Sequence, residues 1–230
     1  MTQHRIEEAT AIVEEGERRG VHARALGGVA VVIHCGSAHR APEDIDLAVG
    51  RSDLKALTGV LAERGYEPND RFNAMHGDRR NLFQGPAGKL DVFVGAFTMC
   101  HRLELESRMA VDRPTLSVAD LILTKLQIVE LTGKDSHDLR VLLQAHELGS
   151  GPGDLIDADR IASVLADDWG YWRTATETLE RVAGGSPELG EKAAELRRRI
   201  DDQPKTRRFK LRARIGERRR WYELPEIVEG

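Results

Sequence analysis

Cysteine is nearly absent: Cys35 and Cys100 are the only two in 230 residues, and neither stands in a paired-Cys motif. A disulfide framework and a cysteine zinc site are not indicated. No apolar run approaches the ~20 residues that a membrane span requires. The first twenty residues, MTQHRIEEATAIVEEGERRG, are charged throughout and lack the apolar core of a signal peptide. A reduced, cytoplasmic protein with no membrane partner is the expectation. No internal repeat of fixed period is visible.

The charge, by contrast, is unevenly spread. The formal net charge is -4, yet residues 205–220, KTRRFKLRARIGERRR, hold nine basic residues and one acidic. That segment therefore carries +8 and the rest of the chain -12. An acidic body with a basic, nucleic-acid-facing extension is one implication. Phe209, Leu211, Ala213 and Ile215 interleave the bases, so the segment can also be an ordered amphipathic element whose arginines pair with carboxylates of the body. Trp221 and Tyr222 follow, and an aromatic ring can stack on an unpaired base.

Hydrophobic spacing sets out the elements. Ile6, Ala9, Ile12, Val13 and Gly16 recur at helical intervals over 4–19. A short extended stretch, 21–26, ends in Gly27-Gly28. The apolar run 29–34 that follows fits either a helix or a buried strand. Residues 44–49 alternate as a half-buried strand does. A helix is predicted over 52–64, with Ser52 as its N-cap and Gly65 as its stop. Strands are predicted near 81–84 and 90–94, joined by the turn Gly85-Pro86-Ala87-Gly88. After Pro114 the pattern becomes helical: 117–131, with Ser117 and Asp120 as a start signal, then 136–147, 157–167, 171–183 and 187–201. The chain reads as an α+β fold: a small mixed-sheet domain over 1–112, a helical domain over 113–201, and a basic extension over 202–230.

The chemistry concentrates in carboxylates. Side chains alternate along a strand, so Asp44 and Asp46 share a side while Ile45 points into the core. Neighbouring carboxylates repel, and a cation between them resolves the repulsion. Magnesium takes oxygen ligands and is commonly held by one or two carboxylates plus substrate phosphates. Asp91 lies on a second alternating strand; if the two strands are neighbours, three carboxylates can hold two metal ions about 3.5–4 Å apart. An Asp-x-Asp strand is often only a solvated outer face, and a Gly-Gly pair only a turn. The ordered combination has few structural explanations.

The stretch LGGVAVVIHCGSAHRAPEDIDLAV resembles the signature of the polymerase-β-like nucleotidyltransferase superfamily. Its nearer likeness is to the AbiEii/MenT group, the toxin-side nucleotidyltransferases of type IV toxin–antitoxin systems. That likeness extends to Lys125 in DLILTKLQIVEL and to the segment Lys134-Asp135-Ser136-His137-Asp138-Leu139, so it covers roughly residues 20–145. The resemblance implies transfer of a nucleotide from a nucleoside triphosphate to a hydroxyl, in some relatives at the 3′ end of tRNA, with an antitoxin protein as partner. It implies that Asp44 and Asp46 chelate two Mg2+ (or Mn2+) ions and that Asp91 completes the site and helps deprotonate the acceptor. Gly27 and Gly28 would let backbone N–H groups approach the triphosphate at a helix N-terminus. Lys125 would neutralise phosphate charge in the transition state, and Asp138 is the better match of the two later aspartates. One position departs from the pattern: Val29 stands where a small hydroxyl residue is common, which removes a hydroxyl ligand for the phosphates.

Other polar residues allow two readings each. Arg40 can reach a phosphate or lie on the surface. Arg79 and Arg80, just before a strand, suit a substrate contact or a solvated hairpin. His34 reads as a packed, hydrogen-bonded histidine. Cys35 and His39 share helical spacing without the further ligands a metal needs. Two other functions stay open: a small-molecule nucleotidyltransferase acting on aminoglycosides or lincosamides, for which the acidic body is suited, and a catalytically degenerate binding domain, which Val29 favours.

Overall fold

A computed structural model describes residues 2–36 and 41–224; Arg40 and His39 lie outside the described residues. The chain forms an α+β fold and divides into two compact units, Met1–Phe97 with Glu104–Ser117, and Thr98–Leu103 with Val118–Gly230.

The first unit is built on a five-stranded mixed sheet. Its elements are α1 (Thr2–Arg18), β1 (Ala23–Leu26), α2 (Gly27–Cys35), β2 (Ile45–Val49), α3 (Leu54–Glu63), β3 (Glu67–Pro68), α4 (Asp70–His76), β4 (Arg80–Gly85) and β5 (Gly88–Val94). The strand order is β1-β2-β5-β4-β3, and only the β2–β5 pair is parallel. α1 presents Ala9, Ile12, Val13 and Gly16 to the core, as its spacing foretells. Ile45, Leu47, Val49, Leu90, Val92 and Val94 meet it from one face of the sheet. α3 starts at Leu54 behind Asp53, and no side chain caps it, so Ser52 is not its N-cap.

Residues 29–34, ambiguous by periodicity, are helical. Val29 to Val32 are all buried, so the segment has no polar face to reveal a period. Both edges of β1 are also taken. β2 pairs with one, and on the other the Ala25 N–H donates to the Pro114 carbonyl while the Leu116 N–H donates to the Ala25 carbonyl, each at 2.9 Å. The apolar run therefore satisfies its backbone internally, as a helix does.

The segment after β5 forms β6 (Ala96–Thr98) and β7 (Arg102–Glu104), a two-stranded sheet. The second unit holds α5 (Val118–Leu126), α6 (Gly133–Ala145), β8 (Leu148–Gly149), β9 (Ile156–Asp157), α7 (Ala158–Asp167), α8 (Trp169–Ala183), α9 (Pro187–Asp202) and α10 (Arg207–Ile215). All nine residues of α5 are buried, and α6, α7 and α8 pack against it. α5 is shorter than the pattern over 117–131 suggests. Its Asp120 is fully buried and accepts from Arg160 Nε at 3.0 Å.

A buried polar stack lies in this unit. The His101 ring lies flat on Tyr171, centroids 5.2 Å apart and planes 4° apart. Its Nε2 bonds Thr174 Oγ1 at 2.8 Å, and the Tyr171 hydroxyl donates to the Leu123 carbonyl. Burial pushes the imidazole down to about 4, although Asp168 pulls the other way. The unfolded chain takes up this proton near pH 6.5, whereas the folded unit refuses it until about pH 4. The folded pKa is depressed, so stability is full above 6.5 and declines as pH falls from there to about 4, by about 3 kcal/mol. Urea midpoints of the parent and of His101→Gln from pH 7 to 4 check this: the variant should show a flatter profile, and identical profiles would refute the assignment.

Candidate functional site

The parallel register decides which side chains meet. Ile45, Asp46, Leu47 and Val49 stand opposite Leu90, Asp91, Val92 and Val94. In-register neighbours lie about 4.8 Å apart and share a face. Because the apolar partners face the core, Asp46 and Asp91 face together the other way. Asp44 is the residue before β2, two positions from Asp46, and like Asp46 it is partly buried. The three aspartates do not close into a cluster with every carboxylate within 4.8 Å of the others. Like charges repel, and Asp91 has been drawn towards two cations of its own.

One cation comes from the neighbouring strand β4 and the other from β5 itself. Arg80 Nη2 donates to Asp91 Oδ2, and Lys89 Nζ stands 3.7 Å from the same oxygen. The guanidinium of Arg80 is held over the rings of Phe93 and Phe72, at 5.3 and 5.9 Å from their centroids. The antiparallel pairing of Leu82 with Asp91 places Arg80 two residues along on the same face. This partner of Asp91 becomes legible only with the register, since Arg80 by sequence suits a solvated hairpin equally well. The other oxygen differs: Asp91 Oδ1 is buried and has no hydrogen-bond partner among the described residues. A buried acceptor left so is costly unless something binds it.

Gly27 closes the other side. Its φ is +64°, a left-handed conformation, and a Cβ there would lie 2.1 Å from Asp46 Oδ2. Glycine is thus required twice, by backbone angle and by contact. The N-terminus of α2 is thereby brought against the Asp46 carboxylate. Leu26 occupies its N-cap position and offers no side-chain cap to the first N–H groups. An uncapped helix start carries partial positive charge and favours phosphate oxygens. Val29 is fully buried and faces the core. His34, later on α2, bonds Thr115 Oγ1 at 2.7 Å.

The donor set suits a hard divalent cation: oxygen ligands on adjacent strands, one of them buried and unpartnered, beside a turn with room only for a hydrogen atom. Asp46 and Asp91, with Asp44 next to them, are the residues that fit Mg2+ or Mn2+.

Lys125 and Asp138 belong to the second unit. Lys125 Nζ donates to Asp135 Oδ1 at 2.9 Å and contacts Asp138 Oδ2 at 3.0 Å. Thr132 caps α6, accepting from the Asp135 N–H at 3.2 Å and donating to its Oδ2 at 2.7 Å. Burial by itself would lower the Lys125 ammonium, but the two carboxylates outweigh it and hold it above its ordinary range. Burial likewise opposes ionisation of Asp135, which Lys125 and Thr132 nonetheless hold below the usual carboxylate range. Both late aspartates therefore converge on the helix lysine.

No protein-family model matches the chain, and no curated protein resembles it. Solved structures offer distant likenesses. A lincosamide antibiotic adenylyltransferase, LnuA, bound to lincomycin, shares 19% identity over 59% of this chain and 94% of its own, with a TM-score of 0.46. The antibiotic-resistance factor ANT(2'')-Ia shares 15% over 63% and 85%, with a TM-score of 0.47. An antigenic nucleotidyltransferase-like protein from Paracoccidioides brasiliensis shares 13% over 89% and 95%, also at 0.47. Likeness at this level assigns neither family nor activity.

Two measurements probe the two charge clusters. Gly27→Ala should cost about 1–3 kcal/mol from backbone angle alone and should weaken Mn2+ binding, read by calorimetric titration, at least about tenfold. Unchanged binding would show that Asp46 is not part of a metal site. Lys125→Met leaves two carboxylates confronting each other; urea unfolding should register a loss of about 3–5 kcal/mol, largely spared in Lys125→Arg.

Proposed function

We propose that the protein is a metal-dependent nucleotidyltransferase that moves a nucleotide from a nucleoside triphosphate to a hydroxyl acceptor. The observation that carries the reading is the in-register pair Asp46–Asp91, with Asp91 Oδ1 buried and unpartnered, set beside the left-handed Gly27 turn. Asp44, Asp46 and Asp91 hold the divalent ions, Mg2+ or Mn2+. Bound there, such ions neutralise phosphate charge and make the acceptor hydroxyl more acidic.

The chain's own groups supply the rest. Gly27 and Gly28 start α2 behind Leu26, which offers no side-chain cap, so their N–H groups are the natural hold for the triphosphate. The acceptor oxygen attacks the α-phosphorus, the bond to pyrophosphate breaks, and the hydroxyl proton passes to water, with Asp91 helping its loss through the ion that Oδ1 would hold. Arg80, braced by two rings, keeps the Asp91 carboxylate turned so that Oδ1 stays available. Lys125 serves in this reading as counter-ion to Asp135 and Asp138; a phosphate approaching it competes with both.

An RNA end is the acceptor we favour, with tRNA first, because the one strongly basic segment suits a phosphate backbone. A toxin restrained by a partner antitoxin is the setting that the AbiEii/MenT resemblance implies. The test is incubation with labelled nucleoside triphosphates, Mg2+ and total RNA. Labelled RNA is expected, falling about 10²–10³-fold in Asp46→Ala with the unfolding midpoint retained, since Asp46 faces away from the core. Label on an aminoglycoside or lincosamide alone would replace RNA by a small-molecule acceptor. No incorporation into any acceptor would overturn the reading.

A further inference from the structure

The basic segment is ordered and two-sided. Thr206 caps α10, its Oγ1 accepting from the Phe209 N–H at 3.2 Å. Phe209 is buried edge-on against Trp172, with ring centroids 5.7 Å apart. Arg212 lies 4.8 Å over the Trp169 ring and donates to the carbonyls of Gly216 and Arg219 at 2.7 and 2.8 Å. Arg208 reaches Asp167 and Asp168 at 3.2 and 3.1 Å. These residues anchor the helix.

The outward side behaves differently. At 100° per residue, Arg207, Lys210, Leu211, Arg214 and Ile215 fall within about 140° of arc, and all five are exposed. Arg218 and Arg219 follow in the turn after α10 and are exposed too. Among the described residues, none of these five cations has an ion-pair partner. Leu211 and Ile215 expose 61% and 40% of their surface between them. Tyr222, with Arg220 4.7 Å over its ring, follows in the chain.

We propose that this face of α10 docks single-stranded RNA. Three solvated cations held at a fixed spacing by an anchored helix, with two more in the turn that follows, complement a phosphate backbone. The apolar side chains between them match base faces that a single strand exposes and a duplex hides. Two exposed apolar residues are too few to embed a nine-residue helix in a bilayer. The proposal rests on the RNA-acceptor reading above and supplies its docking element, but binding can be measured apart from transfer.

The experiment uses the full chain, a fluorescent 20-nucleotide single-stranded RNA, and EDTA without nucleotide, so a failure of the transfer chemistry leaves the result intact. Five phosphate contacts predict a slope of log K against log salt near -3.5, about a hundredfold loss of affinity from 50 to 200 mM KCl. Arg207→Gln/Lys210→Gln/Arg214→Gln should flatten the slope by about 2, with unchanged circular dichroism because Phe209, Arg208 and Arg212 still hold the helix. Leu211→Ala/Ile215→Ala should leave the slope and reduce the preference for single strands. No binding at 50 mM KCl, an unchanged slope in the triple variant, equal affinity for duplex of the same length, or tighter binding to anionic vesicles would each overturn it.

Discussion

The parallel pairing of β2 with β5 is the constraint on which the candidate site depends. It sets Asp46 opposite Asp91 while placing Ile45, Leu47 and Val49 beside Leu90, Val92 and Val94 in the core. A slip of β2 by one residue against β5 would turn Ile45, Leu47 and Val49 to the outer face and Asp46 inward. The register that buries the apolar set is therefore the same register that assembles the acidic pair, and hydrophobic burial, at about 25 cal/mol per Å2, holds two like charges together. Gly27 adds a second constraint: with no side chain it allows α2 to start against Asp46.

Charge management follows one rule in the first unit and again, independently, in the second. Buried charges meet opposite charges at hydrogen-bond distance: Arg80 with Asp91, Arg24 with Glu17, Lys125 with Asp135 and Asp138, Arg160 with Asp120. Such pairs offset their own desolvation and little more. Against that pattern two features stand out. Asp91 Oδ1 is buried without a partner, and the outer face of α10 carries cations that no carboxylate of the described residues answers. A ligand of opposite charge would satisfy each, and the two proposals above assign a metal ion to the first and a phosphate chain to the second.

Much of this was legible in the sequence where one period or one side-chain type decides the outcome. The buried stripe of α1, the alternation of β2 and β5 and the helical character after Pro114 follow from spacing alone, because burial on one face imposes a fixed period. The short β3 and α4 escaped, being two and seven residues long, too brief to carry a period. Asp120 read as part of a helix start, yet it is a buried partner of Arg160, a residue 40 positions on. The choice between helix and strand for 29–34 turned on the occupied edges of β1, which no local pattern records.

The sequence by itself determined that aspartates at 44, 46 and 91 lie on or beside strands and that a glycine pair precedes an apolar segment. Alternation is a local property of an extended chain. Only the tertiary structure decided that Asp46 and Asp91 are neighbours, that Arg80 rather than Arg79 is Asp91's guanidinium, and that one oxygen of Asp91 is left without a partner. Those facts depend on strand register and side-chain direction, which arise from packing residues far apart in the chain.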